Sequence, residues 1–340
     1  MTRRLAPLVR FTVAALAALA AVALVACTGG TSPSPSARTP LVVGLGFIPS
    51  VQFAPFYLAE QEGYYADVGL DVTFQFKIDP DLVTLVGQGS IDIGSADGTS
   101  VIPAVSQGIP IRYVATIYGS FPSIVFAAAS SGIAEAADLE GTKLGIPGRF
   151  GSSWIMLQAL LGSAGLTPDD LEIVEYPDFG QGAAVAQGAV DAATGFANNE
   201  PVQLALSGEE VVVLHVDDTI ALPGPGLIAG TATLDAKGDA IRAFVAQTLR
   251  AMREIEADPE RGLEAAIAAV PELAEQREAQ LAILEATIDV WSGRVTADHG
   301  LGAIDRDGWQ ASVTFMTDLG LVPNAVTVDA LVTDAFLPAD

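Results

Sequence analysis

A chain of 340 residues, half of them apolar and 17% charged, has room for about two domains and enough apolar material to fill large cores. Its net charge of −25, from 41 acids against 16 lysines and arginines, speaks against nucleic acid as a partner, since no basic patch can outweigh it. A single cysteine excludes an internal disulfide.

Residues 1–26 are set apart from the fold. Arg3, Arg4 and Arg10 precede an apolar run, Phe11 to Ala26, which has the length of a signal-peptide core and is short for a membrane span. Leu24-Val25-Ala26-Cys27 follows and resembles the lipobox of bacterial lipoproteins. That resemblance implies cleavage before Cys27, a lipid on its sulfur and an anchor at the outer face of the cell membrane. Secretion with an incidental cysteine is the other reading. Loss of three arginines and no acid takes the charge from −25 to −28. Residues 27–39, rich in Gly, Ser, Thr and Pro, are expected to be a flexible tether.

The ordered chain opens with a buried strand at Leu41-Val42-Val43. Gly44 and Gly46 let the backbone turn, and Pro49-Ser50 lead into a helix from Val51 to Glu62, ended by Gly63. Val72 to Phe76 returns as a strand. Such strand–loop–helix–strand units make parallel sheets with right-handed crossovers. Open parallel sheets bind ligands beyond the carboxyl ends of their strands, which here carry Phe47, Ile48, Pro49 and Gln52. Phe47 and Phe53 are either pocket or core.

A short helix follows at residues 81–89 and a strand end at Ile91–Gly94. Ser95-Ala96-Asp97-Gly98-Thr99-Ser100 then allows close backbone approach; Asp97 either caps the next helix or touches a ligand. A strand from Ile111 to Thr116 runs into Tyr118-Gly119-Ser120-Phe121-Pro122, where two aromatics suit a pocket wall. Ile124 to Ala129 reads as a strand leading to a second lobe. Gly148-Arg149-Phe150-Gly151-Ser152-Ser153 lies between a strand and the helix Trp154–Ala164, and bare amides with hydroxyls at a helix start suit a polar group or anion. Arg149 is the one cation in a candidate pocket loop, or else a solvated surface arginine. Trp154 fits core and pocket equally.

Strands are expected at 171–176, 189–194 and 211–216, and helices at 179–187 and through Leu206. Between them Asn198, Asn199 and Glu200 can bond a heterocycle edge, although one of them is expected to cap a helix. Gln88-Gly89-Ser90-Ile91-Asp92 recurs 99 residues later as Gln187-Gly188-Ala189-Val190-Asp191, which suggests two matched lobes. Leu222 to Gly226 is the expected second crossing, followed by a strand to Thr233. Helices at 239–256, 259–270, 273–291 and 306–319 complete the chain, with Lys237, Arg242, Arg250 and Arg253 on a solvated face.

The phrase from Phe47 to Val72, aromatic-x-P with A-P-x-Y-x-A, G-Y-Y and G-L-D-V, resembles the solute-binding components of ABC importers. Within them it is similar to the group of alkanesulfonate-, taurine-, thiamine-pyrimidine-precursor- and riboflavin-binding lipoproteins. Asp138-Leu139-Glu140-Gly141-Thr142-Lys143-Leu144-Gly145 resembles the phrase that opens their second lobe.

The resemblance implies an α/β, two-lobed, type II periplasmic-binding-protein-like fold, with mixed, largely parallel sheets and a cleft between lobes. Lobe 1 is expected at 40–126 and 228–340, lobe 2 at 127–227. It implies extracytoplasmic capture of a small molecule by a monomer, delivery to an ABC permease and no enzyme activity. The expected contacts are Phe47, Ile48, Pro49, Gln52, Ser95, Asp97, Tyr118, Phe121, Arg149, Phe150, Ser152, Asn198 and Glu200. Their rings and edge groups favour a flat, largely neutral heterocycle, which by the resemblance means riboflavin or a thiamine pyrimidine precursor. An alkanesulfonate, taurine or nitrate carrier is the alternative and needs anion capture by Arg149 together with the helix start beside it.

A relative of the yeast pyrimidine synthase, which shares the fold, is a third reading. The resemblance gives that enzyme a histidine and a cofactor lysine, and the first loop here has neither. No cofactor is expected. No metal site is readable either: His215 and His299 lack ligand-spaced partners. A surface lipoprotein without a small ligand is the fourth reading.

Overall fold

The computed structural model describes residues 38–77 and 81–338. The expected signal segment, Cys27 and all but the last two residues of the expected tether lie outside the described residues. The described strands form two five-stranded sheets. The first holds β1 (Thr39–Leu45), β2 (Leu70–Phe76), β3 (Ile93–Ala96), β4 (Ile111–Thr116) and β10 (Gly226–Gly230) in the order β2-β1-β3-β10-β4. The second holds β5 (Ser123–Ala128), β6 (Lys143–Ile146), β7 (Glu172–Glu175), β8 (Ala192–Phe196) and β9 (Val211–His215) in the order β7-β6-β8-β5-β9.

The two orders are the same pattern. In each sheet three neighbours run parallel, and the fourth strand, β10 or β5, is antiparallel to both strands beside it. That fourth strand is the one arriving from the other sheet. A chain that crosses between carboxyl ends enters its new sheet from that end, so it runs against the strands already there.

The repeated sequence sits at matching places. Gln88–Asp92 precedes β3 and Gln187–Asp191 precedes β8, and the turn glycines Gly89 and Gly188 have φ of 73° and 65°. The closing aspartate does the same job in both sheets. Asp92 Oδ2 accepts the Val42 N–H at 2.9 Å, and Asp191 Oδ2 accepts the Lys143 N–H at 2.8 Å. Each thereby ties the start of β3 or β8 to its parallel neighbour, β1 or β6.

Apolar layers cover both faces of both sheets, as parallel strands require. Helices 54–61, 231–257, 259–269 and 277–291 cover one face of the first sheet around Phe56, Tyr65, Phe244 and Trp291. Tyr65 stacks on Phe244 with centroids 4.8 Å apart. Helices 81–87, 98–106 and 306–318 cover the other face, where Tyr113 meets Trp309 edge-on at 4.9 Å. Helix 151–163 covers one face of the second sheet, and helices 181–186 and 200–206 the other. Among the described residues no helix is long and apolar enough to cross a membrane.

Three details depart from the sequence reading. β1 begins at Thr39, inside the expected tether. The strand expected to reach Thr233 stops at Gly230, and a helix runs from Thr231 to Ala257 with non-helical backbone at Lys237. Lys237 is not part of a solvated face: its Nζ donates to the Pro40 carbonyl at 3.0 Å and to both Asp92 oxygens at 2.9 Å.

Candidate functional site

The carboxyl ends of β1, β3, β6 and β8 meet between the sheets. A cavity opens there, with about 1290 Å³ of atom-free space counting its mouth. The loop after β1 supplies Phe47, which packs because Gly46 lets the chain pass close to β3: a Cβ on Gly46 would lie 3.1 Å from the Ser95 carbonyl. The next turn and helix add Gln52, Phe53 and Phe56. The end of β3 adds Ser95 and Asp97, and the first crossing adds Tyr118. From the second sheet come Pro147, Phe150, Ser152 and Ser153 after β6, Phe179 and Gln181 after β7, and Phe196, Asn199 and Glu200 after β8.

Of the thirteen sequence-derived candidates, Phe47, Gln52, Ser95, Asp97, Tyr118, Phe150, Ser152 and Glu200 line this cavity. Asp97 also caps: its Oδ1 accepts the Thr99 N–H at 2.9 Å and the Ser100 N–H at 3.2 Å.

The other five lie elsewhere. Ile48, 53% exposed, and Pro49 face solvent where the loop turns outward after Phe47. Phe121 is buried in the layer under helix 151–163, and its N–H donates to Asp217. Arg149 is exposed. It pairs with Glu175 at 3.4 Å and lies over the half-buried Trp154 ring, with its guanidinium carbon 5.3 Å from the centroid, so it does not serve the cavity. Asn198 is fully buried behind the wall, where its Nδ2 donates to Thr287 Oγ1 at 2.8 Å. Burial pushes the pKa of the neighbouring Tyr118 hydroxyl up, and Asn198 and Thr287 oppose the rise.

Several lining residues escaped the sequence reading. Phe56 sits on a helix face that reads as core from spacing alone, whereas Phe53, open to either reading, lines the cavity. Phe179 was expected to start a helix; it adopts φ 60° instead, and the helix begins at Gln181. No periodicity marks such a residue.

Phe47, Phe53, Phe56, Tyr118, Phe150, Phe179 and Phe196 give the wall its rings, and no lysine, arginine or histidine is among the described lining residues. Glu200, half-buried, is the polar centre. Its Oε2 accepts the Phe196 N–H at 2.8 Å, and Gln181 Nε2 reaches its Oε1 at 3.5 Å. Burial raises the Glu200 pKa, against the hydrogen bond from Phe196. Gln181 is 1% exposed and its Oε1 has no protein partner. The arrangement can stack a flat ring and accept from donors on its edge; it offers no cation to balance an anion.

Residues 50–262 match the model of the family described as NMT1/THI5 like. A riboflavin-binding protein, RibY, of Chloroflexus aurantiacus is 34% identical over 90% of this chain and 89% of its own length. A formylaminopyrimidine-binding protein of Halalkalibacterium halodurans is 26% identical over 85% of this chain and 88% of its own. A 4-amino-5-hydroxymethyl-2-methylpyrimidine phosphate synthase of Legionella pneumophila is 24% identical over 89% of this chain and 94% of its own. The solved periplasmic aliphatic sulphonate binding protein SsuA of Escherichia coli superposes with a TM-score of 0.69 at 19% identity, covering 86% of this chain and 96% of that one. The chain therefore belongs to the NMT1/THI5-like family and has the two-sheet α/β fold of periplasmic solute-binding proteins.

Proposed function

We propose that this chain captures a flat, largely neutral aromatic heterocycle in the cavity, outside the cytoplasm, and delivers it to the permease of an ABC importer. Riboflavin is the first candidate and a thiamine pyrimidine precursor the second. The observation that carries this reading is the wall itself: seven rings from both sheets, amide and carboxyl groups between them, and no cation. The 34% identity to a riboflavin-binding protein supports the same ligand class. The lipobox-like Leu24–Cys27 supports a chain held by a lipid on Cys27. The sulfonate reading has less support, because Arg149 is not among the lining residues and pairs instead with Glu175 beside Trp154.

Calorimetric titration with riboflavin, formylaminopyrimidine and an alkanesulfonate tests the proposal. One-to-one binding of riboflavin or the pyrimidine is expected, with no heat from the sulfonate. Sulfonate binding alone, or no heat from either ring compound, overturns it. The synthase relatives keep an enzyme reading in view; pyrimidine phosphate formed by the purified protein would favour that reading.

A further inference from the structure

Phe179 is the one described non-glycine residue with positive φ, at 60°. That region is costly for a bulky residue, and such backbone persists where its surroundings hold it. The turn is held by the Phe179 N–H donating to the Tyr176 carbonyl at 2.9 Å and the Gly180 N–H donating to Asp178 Oδ1 at 3.2 Å. A glycine would adopt the same turn without strain. The ring explains the phenylalanine. It stands edge-on to Phe47 with centroids 5.4 Å apart at 88°. Phe47 follows β1 of the first sheet, Phe179 follows β7 of the second, and both line the cavity. Every other described ring pair joins residues of the first sheet and its helices, so this pair alone spans the two walls. Two residues on, the buried Gln181 reaches Glu200, so the strained turn ties the ring to the polar centre.

We propose that Phe179 is a positioning residue that latches the cavity by seating its ring on Phe47, and so sets how long a bound solute stays. The proposal rests on the cavity being the solute site. A residue that only touched the solute would act independently of Phe47. A latch makes the two rings one unit, so losing either loses the whole contact.

Stopped-flow release of riboflavin, followed by flavin fluorescence, separates these cases in the full chain. Phe47→Ala and Phe179→Ala are each expected to speed release about 3- to 10-fold, the range of one aromatic pair. The double variant is expected to release no faster than the quicker single one. Multiplied effects in the double variant, or unchanged release in Phe179→Ala, overturn the latch. Phe179→Gly guards against misfolding: it relieves the backbone and should melt above Phe179→Ala while releasing as quickly. Release from Phe179→Gly at the wild-type rate also overturns the proposal. A wild-type chain that binds no riboflavin defeats the ligand reading alone. The latch is then judged by melting temperatures of the four ligand-free chains: a double loss smaller than the sum of the single losses supports it, and an additive loss ends it.

Discussion

Glu200 brings a carboxyl group into a wall made largely of rings and amides, and that placement has a sign. Its folded-state pKa lies above the ordinary 4.5 because burial disfavours the charge. The folded chain therefore holds this proton more tightly than the unfolded chain. The group's contribution to stability is full below the ordinary value and is lost as pH rises through the raised one. Glu200→Gln removes the charge and keeps an oxygen for the Phe196 N–H. Its new amide can also meet Gln181 Oε1, an acceptor now without a protein partner. The variant is expected to gain stability over the wild type in urea at pH 7 and to show little gain at pH 4. Equal gains at both would mean that the charge is not the cause. The residue type was legible in Asn198-Asn199-Glu200, but not the division of labour: Asn198 turned inward to Thr287, on a helix 89 positions away. Local sequence does not show which side of a loop will meet a distant helix.

The matched aspartates show what elements inherit from the repeated phrase. Asp92 and Asp191 close the loops before β3 and β8 by accepting an N–H from the neighbouring β1 and β6. Their surroundings differ. Asp92 is 9% exposed and also holds Lys237, whereas Asp191 is exposed. Asp92→Ala takes the carboxylate from a half-buried lysine and leaves an N–H unpaired, and should cost about 2–3 kcal/mol by urea unfolding. Asp191→Ala leaves groups that water can reach and should cost about 0.5–1 kcal/mol. Equal losses would show that the loop bond alone matters. The 99-residue offset made the paired loops legible from sequence. The kink at Lys237 was not: the side chain there bonds a carboxylate 145 positions away, and alanine-rich helix spacing reads the same with or without that bond.

At the scale of the whole molecule, the two crossings between sheets lie against one another. The Ile117 and Tyr118 N–H groups both donate to the Pro225 carbonyl, at 3.1 and 2.8 Å. The carboxyl end of helix 277–291 clasps the first crossing: Gly119 N–H donates to Trp291 O at 3.2 Å, and Ser120 donates from its N–H to Val290 O and from its hydroxyl to Ser292 O. Backbones this close leave no room for a side chain. A Cβ on Gly119 would fall 2.4 Å from Thr296 Oγ1 and 2.6 Å from the Trp291 carbonyl, and one on Gly224 would fall 2.4 Å from the Tyr118 carbonyl. Because the cavity is built from loops of both sheets, any shift in these crossings moves one wall against the other. Gly119→Ala and Gly224→Ala are therefore expected to lower stability by about 1–3 kcal/mol and to weaken riboflavin binding together with it. Gly63→Ala is the control: its φ of 75° strains an alanine, but nothing lies within 4 Å of the new Cβ and the site is not part of the cavity wall. It should cost about 1 kcal/mol and leave the dissociation constant unchanged. If all three weaken binding alike, affinity follows global stability; if only the crossing variants do, the crossings set the distance between the walls.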